Sequence, residues 1–596
     1  MRRSRITSSL FACLVAGATL LHALPSVAQP ARSEPAVDAR LGSDATRAEF
    51  DALANELLDG MMARRPTLGV RLGLHAFDGR LPDHSEEGVA ATLSWVDESL
   101  ARLGAVEPGR LSSVQRAELA TLRARLASWA FEWREERALE RDPRAALTIV
   151  GVAEYVKRDY APLQVRAHAA LAIAKAAPGF LEAAEARLDR GLPTTWLETA
   201  IAQARGSASF VRQQVKAAFA GLGSRALKTE LDAGLDQLAD AIDAYASGIE
   251  GRRDEANTDF ALGEERFLEK LRLAHGFELD LERLEQILEA DLARNRAALV
   301  EAAHAIDPDA RTGEVVRGVL GTRPAASQVL AVATAQSLDL RKKVERFALA
   351  SIPSDDPLLV VETPPYLRYN FAFLDAPGPF ETKPLPTFYY ITPPDPSWPP
   401  EQQASYVPAT ADLLFASVHE AWPGHFLQSL HRRKLDSRIL RALGSSATSE
   451  GWAHYAEELV WETGAVAEAE ARVGQLVNAL LRNVRCMSAI GLHTDHMSVE
   501  KSERMFRKIA YQDPANARQQ AWRGTFDPMY LIYTLGKLAI HELREDARTR
   551  AEAAGETFQL GEFHDAFLSY GAAPLPAIRE ALLGAGAGAP LADRRQ

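Results

Sequence analysis

The sequence predicts a large, mainly α-helical protein of two lobes with one small antiparallel β-sheet about two-thirds of the way along. Three observations predict it. Text rich in Ala, Leu, Glu and Arg, with apolar residues at i, i+3 and i+4, runs from Thr46 to about Ala350. A Pro-dense stretch over 351–408 then interrupts it and gathers β-formers. Helical text resumes at Ala409 and continues to about Leu583. At 596 residues the chain exceeds what a single hydrophobic core serves, which makes more than one lobe the expectation. With 47% hydrophobic and 25% charged residues, disordered, collagen-like and disulfide-dense classes are excluded.

The N-terminus reads as a signal peptide over 1–28. Arg2, Arg3 and Arg5 form a basic n-region, Leu10 to Leu21 is an apolar run too short to span a bilayer, and Ser26-Val27-Ala28 supplies small residues for cleavage. Cys13 as a lipid anchor is the competing reading, but Leu10-Phe11-Ala12-Cys13 fits it poorly and leaves almost no apolar run before it. Cleavage would leave Cys486 alone, so no internal disulfide is expected. No later stretch approaches 18 uninterrupted apolar residues, so no transmembrane anchor is expected and the predicted address is the periplasm. Lys plus Arg is 68 against 80 Asp plus Glu, a net charge of −12 that argues against a dedicated nucleic-acid binder.

Residues 29–45 are Pro/Ala/Ser-rich and read as a loose leader. Beyond them Phe50, Leu53, Leu57 and Met61 share a helix face, which Pro66 ends. Gly251 to Asn257 reads as a loop, and Asp280 opens another helical stretch. Strands are expected at Leu358 to Glu362, Tyr369 to Phe373 and Thr387 to Thr392. The Gly/Ala-rich tail over 584–596 is expected to fray.

The strongest chemical signal is His419-Glu420-Ala421-Trp422-Pro423-Gly424-His425, which closes an apolar helical run. Zinc takes neutral imidazoles and a carboxylate and keeps one position open in catalytic sites. A Glu beside a ligand His can act as general base. In an HExxH helix the two His lie at i and i+4 on one face. Here the spacing is i, i+6, which on a straight helix sets the rings about 120° apart with a rise of roughly 9 Å. Pro423 cannot donate to the His419 carbonyl and its ring clashes there, so the helix must kink or bulge, and Gly424 tolerates the dihedrals that follow. The expectation is an interrupted helix that folds His425 back toward His419.

A second segment, Ser449-Glu450-Gly451-Trp452-Ala453-His454-Tyr455-Ala456-Glu457-Glu458, follows within hairpin distance. Glu450 and His454 are four apart and share a helix face. Glu450 is the natural third ligand, and His454 could hold substrate or brace a ligand. Each segment alone can also be read as a solvated, capped helix start with incidental His. Together they supply two imidazoles, a base and a carboxylate.

These two segments resemble the hallmarks HExxPGH and EGWAHY of the bacterial family of domain of unknown function 885. The resemblance extends to Arg65-Pro66-Thr67-Leu68-Gly69, Arg80 to Asp83, Phe260 to Gly263, Asp527 to Lys537 and Phe563-His564-Asp565, nearly the whole mature chain. It implies a zinc-peptidase-like helical fold akin to carboxypeptidase Taq and the neurolysin-like oligopeptidases. Many relatives carry Asp-Thr-Gly-x-His where this chain has Ala489-Ile490-Gly491-Leu492-His493, so any role of that Asp, such as orienting His493, is open here.

Further candidates lie downstream and upstream. An oxyanion at the metal needs another donor. Tyr530 and Tyr533 are both available, with Tyr533 the expected one, and Lys537 or Arg544 on the same face would recognise a carboxylate. Core packing is the competing reading for both tyrosines. Thr387 to Thr392 is either an exposed edge on which a peptide could pair, with Tyr389 or Tyr390 facing it, or a buried strand. His493 is kept as a residue behind the ligands. The reading is an exported zinc-dependent metallohydrolase, a peptidase acting on short peptides. His419, His425 and Glu450 bind Zn2+ and Glu420 polarises water. Residues 46–350 form one wall of a channel, and 351–583 carry the catalysis. A metal-dependent amidase acting on a non-peptide or cell-wall amide, and a peptide-binding protein without turnover, are the alternatives.

Overall fold

Helix boundaries follow the punctuation of the sequence. Helix Asp44–Arg64 stops before Pro66, which occupies the first position of the next helix, where its missing N–H costs nothing. Asp280 accepts from the Arg283 N–H and starts Leu281–Ile306, and Ser445 accepts from the Ala447 N–H and starts Ser446–Glu462. The computed structural model describes residues 44–364, 368, 371–395 and 397–592. The expected signal peptide and the leader up to residue 43 lie outside the described residues. Phe50, Leu57 and Met61 are buried, as the first periodic stretch predicts. The tail departs from expectation up to residue 592: the Leu591 N–H donates to Glu542 at 2.7 Å, and its carbonyl accepts from Arg283 at 3.2 Å.

The fold is mainly helical with a small three-stranded sheet, as predicted. β1 (Leu358–Glu362), β2 (Ala372–Asp375) and β3 (Thr387–Ile391) run in the order β1-β3-β2. β3 is antiparallel to β2, with Leu374 opposite Tyr389, and parallel to β1, with Val360 opposite Tyr389. The sheet is therefore mixed and not purely antiparallel: a central strand between two of opposite direction must run parallel to one of them. β3, rich in β-formers, takes the buried centre. Of the two readings for Thr387 to Thr392, the buried one holds. Tyr389 is fully buried with its hydroxyl 3.3 Å from that of Ser417, and Tyr390 is 5% exposed. Neither tyrosine faces a solute, and the strand has no free edge.

Gly42–Gln596 packs as one unit. Its largest hydrophobic cluster is built mainly from residues after Leu262 and includes Val418, Trp422, Trp452, Leu480 and Tyr530. A second joins helices of 146–249, and a third binds the first helices to Ile439, Ala442 and Leu443. The third cluster thus fastens the N-terminal helices onto the chain just downstream of the first motif. No helix of the described residues is long and apolar enough to cross a membrane.

Charge braces the helices behind the site. Asp291, on Leu281–Ile306, is 3% exposed and accepts from Lys537 Nζ at 2.9 and 3.1 Å, from Asn483 at 2.9 Å and from Arg294 at 2.8 Å. Burial alone would raise this carboxyl; Lys537 and Arg294 instead hold it below the usual range. A group so depressed stabilises the fold fully above its unfolded value of about 3.9 and progressively less as pH falls toward its native value. Asp291→Ala strands the buried ammonium and is expected to cost about 3–5 kcal/mol. Denaturant melts should show that gap near neutral pH and show it closing below about pH 4; a gap independent of pH would contradict the assignment.

Candidate metal centre

The first motif does not kink one helix; it ends one and begins another. Helix Thr410–Glu420 stops at the Glu, and helix His425–Arg433 starts at the second His. The Trp422–Pro423 bond is cis. The Gly424 N–H donates to the Val418 carbonyl at 3.0 Å, which folds the second helix back against the first. A side chain at residue 424 would collide with the carbonyls of His419 and Val418, so glycine is required by close approach. The turn is pinned from the other motif: Trp452, fully buried, donates its indole N–H to the Pro423 carbonyl at 2.9 Å. As a result the His419 and His425 rings stand 4.8 Å apart at 83°.

Helix Ser446–Glu462 brings the carboxylate. Glu450 Oε2 lies 3.4 Å from His419 Nε2 and 3.4 Å from His425 Nε2, and has no hydrogen-bond partner among the described residues. The three ligand atoms lie within 4.8 Å of one another. Ligands at zinc distances in a tetrahedron are ~3.3–3.4 Å apart, so the donor set, its spacing and the unpartnered oxygen fit a zinc ion. Burial would raise Glu450, but the two imidazoles hold it well below the usual carboxylate range. The helix can approach closely because Gly451 and Gly536 face each other: a Cβ on Gly451 would sit 2.6 Å from the Gly536 Cα. That contact seats helix Ile532–Ala553, with Tyr533, beside Glu450.

Behind His419 stands Glu457, a residue the sequence reading did not assign. It is fully buried, accepts from His419 Nδ1 at 2.8 Å and from Arg482 at 2.7 Å. An ionised carboxylate only accepts, so Nδ1 carries a proton toward Glu457, and loss of the second proton, at Nε2, would free the lone pair that faces Glu450 and His425. Burial would depress the His419 imidazole, but Glu450 and Glu457 raise it to about 9. A signal existed: Glu457 is seven residues after Glu450, two turns along nearly the same face. Glu420 is half-buried; its Oε2 accepts the backbone N–H of Leu374 on β2 at 2.9 Å, which orients it. Burial pushes its carboxyl up against the pull of His419 and His425.

The half-buried Tyr533 ring stacks near-parallel to the His419 ring at 6.3 Å and 18°. Tyr530 is 1% exposed and belongs to the core, as its competing reading held. His454 is 0% exposed with its Nδ1 3.6 Å from Glu457, and burial depresses it to about 4, so it lies behind the ligands and out of reach of a solute. His493 donates its Nε2–H to the Gly524 carbonyl at 2.7 Å and packs on Phe267, away from the ligand atoms. Lys537 is consumed by Asp291 and Glu458, and Arg544 by Glu462 at 2.8 Å and the Tyr455 hydroxyl at 3.0 Å. Sharing a helix face with Tyr533 did not bring either to the metal position, because that face is long and its far turns meet other carboxylates. A second His/Glu group, Glu458, Glu462 and His541, lies among these cations, which neutralise it.

The sequence profile of the family described as bacterial protein of unknown function (DUF885) matches residues 66–582. A solved protein of Shewanella oneidensis, described as a proposed lipoprotein of unknown function, is similar at 24% identity and a TM-score of 0.75, over 90% of this chain and 99% of that one. A proposed lipoprotein of Colwellia psychrerythraea is similar at 17% identity and 0.72, over 90% and 98%. At these identities the likeness concerns the fold. None of the curated proteins compared matches the chain.

Glu457→Gln keeps the shape and removes the charge that faces Arg482 and His419. Zinc affinity, measured against a competing chelator, is expected to fall about 10–100-fold, and unaltered affinity would show that Glu457 does not brace the ligand.

Proposed function

The chain belongs to the DUF885 family, and we propose that it is an exported, zinc-dependent metallohydrolase that cleaves short peptides. The observation that carries the reading is the convergence of His419 Nε2, His425 Nε2 and Glu450 Oε2 around one point, with the Glu420 carboxylate close enough to feel the charge of all three. A pure binding site has no need of a base at Glu420. Export is supported by the basic, apolar and small-residue order of the leader, and agrees with the description of the two solved relatives as proposed lipoproteins.

His419, His425 and Glu450 would hold the ion, which supplies Lewis acidity when bound. Glu420, held by the Leu374 N–H through one oxygen, takes a proton from the attacking water with the other. The water oxygen bonds to the peptide carbonyl carbon. The C–N bond then breaks, its electron pair stays on nitrogen, and Glu420 returns the proton to that amine. The Tyr533 hydroxyl donates to the oxyanion, while Arg523 lies within hydrogen-bonding reach of the phenol oxygen and leaves its proton free to point at substrate.

We assign the opposite wall of the substrate channel to the N-terminal region. A cavity of about 400 Å³ is lined from that side by Arg71, Trp133 and Trp196 and from the C-terminal side by Phe526 and Pro528. A neighbouring one of about 310 Å³ shares Arg71 and reaches Leu374, the residue that holds Glu420. Neither cavity is lined by a ligand residue; the support they give to a wall opposite the metal position is the reach of the smaller one to Leu374.

Protein purified with zinc should carry one equivalent by elemental analysis, lose peptide hydrolysis on chelation and regain it with Zn2+. Glu420→Gln should retain the metal and lose at least ~100-fold in kcat; turnover equal to wild type would remove Glu420 from the mechanism. Unfolded casein fragments should be cut and intact folded proteins spared, and rapid cleavage of folded proteins would refute the enclosed channel.

A further inference from the structure

We propose that Arg485 docks the carboxylate at the C-terminal end of the peptide substrate, which makes the protein a carboxypeptidase that counts its cut from the free chain end. The proposal rests on the metallohydrolase reading and names its substrate class.

The cations near the centre differ in one respect. Arg482 is paired with Glu457 at 2.7 Å, Arg523 with Asp527 at 2.8 Å, Lys537 with Asp291 at 2.9 Å and Arg544 with Glu462 at 2.8 Å. Arg485 has no carboxylate partner among the described residues. Its Nε donates to Gln520 at 2.9 Å, and the rest of its donor fork makes no hydrogen bond to the described residues. It is nevertheless 8% exposed. Burial, with Arg523 nearby, pulls its guanidinium down to about 10, the sign of a charge removed from water without a counter-ion.

Its position is also specific. The guanidinium lies 4.9 Å from the centre of the Tyr533 ring, with those of Arg482 and Arg523 at 5.9 and 6.0 Å. Three cations thus converge on one ring with only two carboxylates, Glu457 and Asp527, to balance them. Arg485 is three residues, about one helical turn, beyond Arg482, whose Nη2 is 3.3 Å from His419 Nδ1. The unmatched charge thus lies against the Tyr533 ring, whose centre is 6.3 Å from that of the ligand His419, on the side of the expected oxyanion donor. A planar fork with free donors matches a carboxylate bidentately. Every peptide carries a carboxylate at its end; an Asp or Glu side chain offers the same group, and the test separates the two.

The full-length zinc protein is assayed on one short peptide in three forms: free acid, C-terminal amide, and amide with Asp as the last residue. The free acid should exceed both amides by about tenfold or more in kcat/KM, chiefly through KM. Arg485→Gln should bring the ratio of acid to amide near one, and Arg485→Lys should restore part of it, with zinc content and melting temperature as controls. Calorimetry on Glu420→Gln should give the free acid the tighter Kd, independently of turnover. Equal cleavage of acid and plain amide by the wild type, while hydrolysis still depends on Glu420, overturns the docking and leaves the hydrolase reading intact. Equal cleavage of the acid and the Asp amide overturns the chain-end assignment. An Arg485→Gln that slows all three forms alike assigns Arg485 a structural role and overturns the proposal. If the Gln variant does not fold, the comparison of the three peptides on wild type decides. No Glu420-dependent hydrolysis of any form would instead sink the metallohydrolase reading.

Discussion

Everything at the centre depends on the helix break between His419 and His425. Six residues apart on a continuous helix, the two imidazoles would face different directions. The break works because Gly424 lets one backbone strand approach another, donating to Val418, and because Trp452 clamps the Pro423 carbonyl from the opposing helix. The same tryptophan lies two residues from Glu450, so the element that stabilises the turn also delivers the third ligand. Geometry and burial are therefore coupled: loosening Trp452 would displace both halves of the site at once.

Around that turn the protein arranges charge in alternating shells. The ligand set carries one carboxylate, Glu450. Behind it the buried Glu457 faces Arg482, and further out Asp291 and Glu458 face Lys537 and Arg294. Each buried charge is matched by a neighbour on a different helix, which is the condition for tolerating it in a low-dielectric interior. The pairs also lock the register of four helices, so the ligand geometry is preorganised before any metal arrives. Arg485 is the conspicuous departure from that rule, and its place beside Tyr533 gives the departure a chemical meaning.

The sheet serves the site with a backbone group and not with its tyrosines. β3 has the strongest β-forming text, yet that is why it is central and buried. β2, short and less distinctive, lies at the edge and orients Glu420 through Leu374. Strand propensity identified which segment is a strand, but not which neighbour it would take, because pairing order is set by long-range packing.

Much was legible in the sequence because it is local. Pro66, Asp280 and Pro423 act on the residues next to them, and periodic apolar residues select a buried face within a few turns. The interrupted helix and the candidate ligands His419, His425 and Glu450 follow from spacing and from what proline does to a helix. What tertiary structure alone decided is which charges meet. Lys537 and Arg544 share a helix face with Tyr533, yet Asp291 and Glu462, from distant parts of the chain, claim them. Arg482 and Arg485 are a single turn apart and look equivalent in sequence, yet Glu457 neutralises the first and leaves the second unpaired. Coulombic partnership depends on distances of a few ångströms between helices remote in sequence, and no local pattern encodes those distances.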